Sequence, residues 1–304
     1  MRGVIVVIGE ALIDLLVRPD GRIEATAGGG PFNTARTIAR LGQRVAFAGR
    51  LSTDAFGRRL RDRLAADGVD LGLVVETHDP TTLAVVESGR TGEAGYRFYL
   101  TGTSAPGLGM DVVETIGRPA ALHIGTLGLV LEPIGSTAEA VVQRMPVETL
   151  VMADLNARPA ATPDRAAWVA RIERLLSRID VLKASVEDLR FFRPSVEPID
   201  TATAIVDRGP RVVLLTDGPG PVRIVTAGAT RTIEPSPVEV VDTVGAGDAL
   251  GGGFLAAWIG AGRGRADLRN GDALLDATSF AVRVASITCT RPGADPPTAS
   301  ELTD

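Results

Sequence analysis

The sequence predicts an α/β fold with a mostly parallel central sheet, helices on both faces and a small additional β-sheet. Short apolar runs recur along the chain, helix-like stretches separate them, and two further segments look like β-hairpins. The apolar runs occupy residues 4–10, 45–51, 121–127, 150–156, 180–185 and 212–218. The helix-like stretches occupy residues 32–42, 54–68 and 162–179. Apolar strands that alternate with helices indicate a parallel sheet covered on both faces.

The ends of these apolar runs indicate where a ligand binds. LVMADLN (150–156) and DVLKAS (180–185) are mainly apolar but bring polar residues toward their carboxyl ends. In sheets of this kind, ligands bind outside the carboxyl ends of the strands. We therefore expect the functional site at that edge of the sheet.

Two predicted helices carry further sequence signals. Thr162 is the predicted N-cap of the 162–179 helix, and Pro163 is its first helical residue. A later helix is predicted from Ala249 onward. It contains three glycines at residues 251–253, although each costs roughly 1 kcal/mol in a helix interior. This predicts that the helix packs closely against a strand or a nucleotide.

Two segments, residues 12–27 and 81–100, depart from the α/β pattern and are predicted to form β-hairpins. Their turns are predicted at residues 19–21 and 89–95, which are rich in turn-forming residues. We interpret the hairpins as a small sheet, inserted into the α/β domain, that serves as a lid. The alternative is that they are edge strands of the main sheet.

Composition limits the class of protein and its partners. At 304 residues the chain fits one large α/β domain or two ordinary ones. The net charge of −5 argues against nucleic acid as a main partner. The longest apolar run, residues 4–17, contains Glu10 and Asp14 and is too short to span a bilayer. No secretory leader is recognisable, and the lone Cys289 excludes an internal disulfide, so we expect a cytoplasmic protein.

The scarcity of some residue types excludes several kinds of site. His78 and His123 are the only histidines, which with one cysteine leaves no His/Cys metal cluster. Lys183 is the only lysine and does not follow a glycine, so the GxxxxGK(S/T) phosphate loop is excluded. No GxSxG is present, which argues against an α/β-hydrolase.

The stretch VDTVGAGDAL, residues 241–250, places one acid, Asp248, directly after glycine, alanine and glycine. Residues 238–241 are predicted to be a strand or its approach, so the small residues lie at a helix N-terminus. Free N–H groups and the helix dipole form an anion site there. Beside a bound phosphate, Asp248 can act as general base on an attacking hydroxyl. An acid in a helix first turn is also a common arrangement, and the motif alone leaves both interpretations open.

A second glycine-rich turn, AGGGPFNTARTIARLG at residues 27–42, opens a second helix. By itself it is only a flexible turn, and it lacks the GxGxxG spacing of a dinucleotide-binding fold. Together, the two stretches resemble the signatures of the PfkB (ribokinase-like) family of carbohydrate and nucleoside kinases, here GGGPFNTARTIARLGQRVAFAGRLSTDAFG and DTVGAGDALGGGFL. The resemblance extends over essentially the whole chain. It implies a single α/β kinase domain over residues 1–304 with a discontinuous β lid.

The resemblance implies roles for residues of both signatures. Asp248 matches the catalytic base. The N–H groups of the family's anion hole match Gly245, Ala246 and Gly247. The positions that contact sugar hydroxyls match Asp14, Gly29, Gly30 and Asn33. Short polar side chains and glycine N–H groups suit a polyol, because each desolvated hydroxyl needs a partner.

The resemblance also implies a nucleotide and metal region. Asp154 and Asn156, in a DxNxR stretch, would face phosphate and metal-bound water. Ser185 and Asp188 stand where the family has N-x-x-E, which organises magnesium waters, and both side chains here are shorter. The other residues implied to border ATP are Lys183, which is otherwise a lone surface lysine, Thr216, Gly218 and Gly220. Asp242 and the loop 286–294 resemble a monovalent-cation site, which would hold K⁺.

The favoured function is an ATP- and Mg²⁺-dependent sugar kinase that acts on fructose, because residues 96–106 and the DxNxR stretch resemble the fructokinase-like branch. The main alternative is a 2-keto-3-deoxygluconate kinase, whose acidic substrate would need Arg97 or Arg158. Arg158 would otherwise face a phosphate. Less favoured alternatives are a ribokinase or nucleoside kinase, an inactive sugar- or nucleotide-binding relative, and a nicotinamide dehydrogenase. The apolar LAVV at residues 83–86 predicts a homodimer that pairs through the lid sheet.

Overall fold

The computed structural model describes residues 3–18, 20–88 and 94–302. The strands in these ranges are β1 (Ile5–Ile8), β2 (Leu12–Val17), β3 (Ile23–Gly28), β4 (Val45–Ala48), β5 (Arg50–Ser52), β6 (Val75–Thr77), β7 (Leu83–Ser88), β8 (Ala94–Tyr99), β9 (Ala121–Gly125), β10 (Leu150–Asp154), β11 (Val181–Ser185), β12 (Val212–Thr216), β13 (Val222–Thr226) and β14 (Ala229–Ile233). The helices are α1 (Gly30–Arg40), α2 (Ala55–Ala66), α3 (Val112–Thr115), α4 (Ile134–Arg144), α5 (Arg165–Leu175), α6 (Val186–Phe192), α7 (Pro198–Val206), α8 (Ala246–Gly260) and α9 (Gly271–Cys289).

An eight-stranded sheet forms the centre of the molecule, in the order β14-β13-β12-β11-β10-β9-β1-β4. The strands from β4 to β12 pair in parallel, whereas β13 pairs antiparallel with both of its neighbours. Each apolar run that predicted a strand contributes one strand to this sheet. The mostly parallel central sheet is therefore confirmed.

Two apolar layers cover the two faces of the central sheet. In β1, Val6 and Ile8 belong to one buried cluster, whereas Ile5 and Val7 belong to the other. Helices α3 to α7 pack on the first face, and α1, α2, α8 and α9 pack on the second. Helices on both faces are thus confirmed. No helix in the described ranges is long and apolar enough to cross a bilayer.

The two predicted hairpins form a sheet of their own. Its order is β3-β2-β7-β8, with β2 parallel to β7 and both outer pairs antiparallel. The alternative that these strands are edge strands of the main sheet is therefore wrong. Of the predicted turns, Pro19 and residues 89–93 lie outside the described residues.

The start of α5 differs from the prediction. The helix begins at Arg165, and the side chain of Asp164 caps it by accepting a hydrogen bond from the Ala167 N–H at 2.9 Å. The Thr162 hydroxyl instead donates to the carbonyl of Arg158 at 2.8 Å. Thr162 is therefore not the N-cap, because a carboxylate two residues later satisfies the free N–H group.

The predicted strand at residues 238–241 is also wrong. These residues connect β14 to α8 without forming a strand. Val240 is 58% exposed and Val241 is 60% exposed, so their apolar side chains are not covered by the described part of the chain. An apolar run becomes a strand only where a neighbouring strand pairs with it, and here none does.

The glycines inside α8 allow close packing on several sides. A Cβ atom at Gly252 would lie 2.7 Å from the Thr37 Cβ of α1. One at Gly253 would lie 3.1 Å from the Ala281 Cα of α9. A Cβ atom at Gly251 would lie 3.5 Å from the Met152 Cε of β10, which is an ordinary contact distance. The close packing is therefore against helices, at Gly252 and Gly253, and not against a strand.

Candidate active site

The predicted site residues gather at the carboxyl edge of the central sheet, as expected. Helices α1 and α8 begin there, and a hydrogen bond of 2.9 Å from Asn33 to Asp248 joins their first turns. Asn156, which follows β10, donates to the Thr126 hydroxyl, which follows β9, at 3.2 Å. Segments that are far apart in the chain thus meet around one carboxylate.

Asp248 lies in the first turn of α8 and is only 7% exposed. Its Oδ2 accepts the hydrogen bond from Asn33, and its Oδ1 lies 3.4 Å from the amide nitrogen of Asn156. Burial raises the pKa of Asp248 to about 6, although the hydrogen bond from Asn33 acts in the opposite direction. A carboxylate that two amides orient, with a pKa close to neutrality, is suited to accept a proton.

The turn before α8 leaves its backbone accessible. Gly245 has a φ of 77°, in the left-handed region that favours glycine. A Cβ atom there would lie 2.4 Å from the Ala294 Cβ. The Ala246 N–H donates to the carbonyl of Thr243 over 3.3 Å, so an anion bound by Ala246 would have to replace that long hydrogen bond.

Lys183 is buried in β11 and is not a surface lysine. Its Nζ donates to Asp154 Oδ2 at 2.8 Å, and the two side chains are 5% and 2% exposed. Burial lowers the pKa of Lys183, but the charge and hydrogen bond of Asp154, together with the charges of Asp248 and Asp188, outweigh burial, so the pKa is raised. A Cβ atom at Gly247 would lie 3.1 Å from Nζ. The ammonium group therefore adds positive charge at the N-terminus of α8.

Gly29 and Gly30 allow the start of α1 to approach Asp248 closely. Gly29 has a φ of 109°, a conformation in which other residues are strained. A Cβ atom at Gly30 would lie 2.3 Å from Thr126 Oγ1 and 3.2 Å from Asp248 Oδ1. A side chain at residue 30 would collide with Thr126 and press on the carboxylate of Asp248. Glycine therefore lets the start of α1 pack directly against Thr126 and Asp248.

Asp14 and Arg158 lie close to the carboxylate of Asp248. Burial, with a further contribution from the charge of Asp248, raises the pKa of Asp14 to about 6, and the charge of Arg158 opposes this rise. The charge of Arg158 also lowers the pKa of Asp248. Asp14 belongs to β2, so the small sheet contributes one polar group to the space around Asp248.

Arg97 does not join these residues within this chain. In the small sheet, Asp14 pairs with Ala84, and Ala84 pairs with Phe98. Residues paired across strands point to the same face, and the next residue along a strand points to the opposite face. Arg97 therefore faces away from Asp14, and it is exposed. This register therefore does not bring Arg97 to the site within one chain.

Ser185 and Asp188 form a capping box at the start of α6. The Asp188 N–H donates to Ser185 Oγ at 3.0 Å, and the Ser185 N–H donates to Asp188 Oδ2 at 2.7 Å. Asp188 Oδ1 accepts a hydrogen bond from the Ala157 N–H at 2.7 Å. These contacts hold the loop after β10 against α6. Roles for Ser185 toward the nucleotide and for Asp188 toward metal-bound water remain predictions.

Asp154 has one oxygen without a protein partner. Its Oδ2 accepts from Lys183, whereas its Oδ1 is buried and has no hydrogen-bond partner among the described residues. In the same ranges, no three His, Cys, Asp or Glu side chains are placed to hold a metal ion together. A divalent ion here would therefore need phosphate oxygens and water as further ligands.

The predicted ATP-bordering turn follows β12, next to β11. Thr216 ends β12 and pairs with Ser185 of β11. Gly218 has a φ of 50° and faces open space, and the Gly220 N–H closes the turn by donating to the carbonyl of Asp217 at 2.7 Å. The turn is accessible at the same edge of the sheet. Its contact with nucleotide remains a prediction.

Asp242 connects the turn before α8 to the loop 286–294. Its Oδ1 accepts from the Val244 N–H at 3.0 Å, and its Oδ2 accepts from the Gly293 N–H at 2.8 Å. Its own N–H donates to the carbonyl of Cys289 at 3.2 Å. Asp242 and this loop are thus in contact, as the resemblance implies, and the bound cation remains a prediction.

Glu10 is a site residue that the sequence did not reveal. It follows β1, is 1% exposed, and accepts hydrogen bonds from the N–H groups of Gly30 at 3.2 Å and Gly128 at 3.1 Å. Burial raises the pKa of Glu10 to about 8. Glu10 therefore fixes the first residue of α1 against the loop after β9. The Gly-Glu pair at the end of an apolar run was its only signal.

The chain matches the profile described as pfkB family carbohydrate kinase over residues 3–301. It is 34% identical to the fructokinase of Rhizobium leguminosarum bv. trifolii over 253 residues, which are 82% of this chain and 77% of that protein. The sequence signatures and the matched profile therefore agree over nearly the whole chain.

Solved structures of related proteins have the same fold. A fructokinase from Xylella fastidiosa with bound ATP superposes with a TM-score of 0.91 at 28% identity, over 100% of this chain and 98% of that one. A double mutant of the Vibrio cholerae O395 fructokinase, with fructose, ADP and potassium ion bound, superposes with a TM-score of 0.85 at 26% identity, over 96% and 94% of the two chains. The likeness includes both sheets and the helices around them.

Proposed function

The chain belongs to the pfkB family of carbohydrate kinases, and we propose that it transfers the γ-phosphoryl group of ATP to a hydroxyl of fructose. One observation carries the proposal. Asp248 is a buried carboxylate at the N-terminus of α8, oriented by the side-chain amides of Asn33 and Asn156. The fructokinases to which the chain is similar support fructose as the sugar, and the relative with bound ATP supports the nucleotide.

The arrangement around Asp248 supports a direct transfer. The sugar hydroxyl gives its proton to Asp248 while Asn33 and Asn156 hold the carboxylate. The hydroxyl oxygen forms a bond to the γ-phosphorus as the bond to the bridging oxygen of ADP breaks. Backbone N–H groups of residues 245–247 and the ammonium group of Lys183 stabilise the charge on the transferred phosphoryl group. The products are a sugar phosphate, ADP and the proton on Asp248.

Mg²⁺ is proposed to bind with the nucleotide. It usually takes one or two protein carboxylates plus phosphate oxygens and water. Asp154 fits this role because its Oδ1 is buried without a hydrogen-bond partner in the described part of the chain. When bound, Mg²⁺ neutralises phosphate charge. For K⁺ we propose Asp242 with carbonyl groups of the loop 286–294, which the potassium ion of the Vibrio cholerae relative supports.

The charges of the site favour a neutral sugar over a sugar acid. Asp14 and Asp248 contribute negative charge to the space, and Lys183 is already paired with Asp154. A further carboxylate in a partly desolvated site would need a dedicated arginine. Arg97 faces the opposite side of the small sheet. Arg158 is nearby, and its Nη1 lies 3.3 and 3.1 Å from the carbonyls of residues 156 and 157.

We further propose a cytoplasmic homodimer that pairs through the small sheet, which then acts as the lid over the sugar. The lone Cys289 fits a reducing compartment. The face of the small sheet opposite to Asp14 carries exposed apolar side chains, among them Ile23 and Tyr99. Such a face is typical of an interaction surface.

The test is a phosphotransfer assay with ATP, Mg²⁺ and a panel of sugars, sugar acids and nucleosides. Fructose should give the highest kcat/KM and exceed 2-keto-3-deoxygluconate by at least about tenfold. Asp248→Asn should lower kcat by at least about 10²-fold with little change in KM for fructose, because the base is lost while the shape is kept. Asp272→Asn is the matched control, since Asp272 is an acid in the first turn of α9. Near-normal kcat in Asp248→Asn would contradict the mechanism, and a preferred sugar acid would contradict the substrate.

A further inference from the structure

A second cavity lies between α2, β3 and the loop that contains residues 292–295. Its volume is about 600 Å³. Asp14, Asn33 and Asp248 are not among its lining residues. The cavity is therefore distinct from the space in front of the catalytic carboxylate, although both border α1.

The lining of this cavity carries an excess of positive charge. Four arginines line it, Arg36, Arg58, Arg59 and Arg63, with two aspartates, Asp62 and Asp295. The difference is two positive charges, on a chain whose net charge is −5. A concave arginine-rich wall on an acidic protein favours an anionic ligand.

Arg36 is the buried cation of this group. It is 2% exposed, its Nε donates to Asp67 at 2.6 Å, and its Nη1 donates to the carbonyl of Ala294 at 2.8 Å. Its Nη2 is buried and has no hydrogen-bond partner among the described residues. Asp295 lies 3.9 Å away, beyond hydrogen-bond distance. A buried guanidinium with an unused donor is costly unless another acceptor reaches it.

The remaining arginines share one face of α2. Arg59 and Arg63 are one helical turn apart, as are Arg58 and Asp62, and all four line the cavity. Arg63 donates to Asp295 at 3.1 Å, and Arg58 donates to the carbonyl of Thr53 at 2.6 Å. Arg59 is exposed. Guanidinium groups bind phosphate through paired, charge-assisted hydrogen bonds.

We propose that this cavity is a binding site for a small phosphate monoester, in which Arg36, Arg58 and Arg59 hold the phosphate and the rest of the cavity holds a polyol. The excess of two positive charges matches a phosphate dianion. Asp62 and Asp295 supply acceptors for hydroxyl groups of the ligand. A free phosphate ion has the same charged group, but it leaves most of the cavity without contacts.

The test is isothermal titration calorimetry with glucose 6-phosphate as the monoester, inorganic phosphate as the free ion and sulfate as a further anion. The protein is first saturated with fructose and ADP, which keeps the probes out of the proposed catalytic site. Glucose 6-phosphate should bind with one site per chain and more tightly than phosphate or sulfate. Arg58→Gln combined with Arg59→Gln should weaken this binding at least about tenfold, because two charge-assisted contacts are lost.

Arg61→Gln is the matched control, because Arg61 is on the same helix but pairs with Glu76 and does not line the cavity. It should leave the affinity within about twofold. Absence of glucose 6-phosphate binding, equal weakening by the control, or an unchanged affinity in the double variant would each overturn the proposal. Equal affinity for free phosphate would overturn the polyol assignment. The comparison of the double variant with its control does not depend on which sugar the chain phosphorylates, because Arg58 and Arg59 lie outside the candidate active site.

Discussion

The pKa of Asp248 predicts how the proposed kinase responds to acid. A general base must be ionised, and burial places the pKa of Asp248 at about 6. The value of kcat/KM for fructose should therefore be constant above about pH 7 and fall as pH decreases through about 6. The pKa of Asp14 is also about 6, and Asp14 interacts with Asp248. The decrease in kcat/KM at low pH (the acid limb of the profile) therefore reflects the titration of both carboxylates. Burial lowers the pKa of His123 to about 3, so its imidazole is not the source of the limb.

Asp14→Asn provides the check on this assignment. The variant removes one negative charge near Asp248, so the acid limb should move to lower pH in initial-rate measurements between pH 5 and 8. The wild-type enzyme measured in the same buffers is the reference. A wild-type rate that stays constant down to pH 5 would show that a group other than Asp248 accepts the proton.

Glu10 predicts a pH dependence of stability. The pKa of Glu10 is about 8 in the folded chain against 4.5 in the unfolded one. A raised carboxyl pKa favours folding only while the group is protonated, so this contribution is lost as pH rises from about 4.5 to 8. The loss is on the order of 5 kcal/mol at most. Glu10→Gln cannot ionise, so its free energy of unfolding, relative to wild type, should increase between pH 5 and pH 8 in urea titrations.

The matched control for Glu10 is Glu148→Gln, because Glu148 is 74% exposed. The difference in free energy of unfolding between Glu148→Gln and wild type should stay constant over the same pH range. If the free energies of unfolding of Glu10→Gln and wild type changed with pH in parallel, the side chain of Glu10 would not be buried in the folded chain.

The residues that the sequence brought to the site are those in contiguous motifs. Asp248 and Asn33 each lie in the first turn of a helix that follows a glycine-rich turn, and the two signatures together were enough to select them. Glu10 receives hydrogen bonds from residues 20 and 118 positions away, and nothing adjacent to it in the chain predicts those contacts. The orientation of Arg97 was not predictable for a related reason, because the face on which it lies depends on the pairing of β2, β7 and β8.

At the scale of elements, the glycine turn before α1 is expected to control the position of Asp248. Gly30→Ala would place a methyl group 2.3 Å from Thr126 Oγ1 and 3.2 Å from Asp248 Oδ1. The collision would displace Thr126 or the carboxylate of Asp248, so the base would no longer be correctly placed and kcat/KM for fructose should fall by about 10²-fold. Steady-state assays measure this effect. Gly117→Ala is the control, because a Cβ atom at Gly117 has nothing within 4 Å, and full activity in Gly30→Ala would contradict this role of Gly30.

Six strands of the main sheet were predictable because each is a short, mainly apolar and buried run. β13 and β14 were not predicted, because arginine and threonine interrupt them and β14 is mostly exposed. Residues 238–241 are rich in valine but lie outside the sheet, since local sequence does not specify whether a partner strand is present. The start of α5 shows a smaller uncertainty of the same kind. Thr162 and Asp164 are both good N-caps, and only the position of the helix on the sheet decides between them.

At the scale of the whole molecule, the small sheet has two faces with different roles. Asp14 points to one face, toward Asp248. The other face carries side chains that the chain leaves open to solvent, with Ile23 64% exposed on β3 and Tyr99 51% exposed on β8. By the strand register, Val85 and Arg97 share this face. A second copy that pairs the same face about a two-fold axis would cover these side chains in both chains.

A homodimer through this face predicts a mass twice the 31.7 kDa of one chain in light scattering at micromolar concentration. Ile23→Asp places a charge on the paired face, where its desolvation is unfavourable, so the variant should be a monomer. Val147→Asp is the matched control, because Val147 is 63% exposed and lies outside the small sheet. It should remain a dimer. A monomeric wild type, or a dimer that Ile23→Asp does not disturb, would exclude pairing through this sheet, because its exposed apolar face would then have no partner in solution.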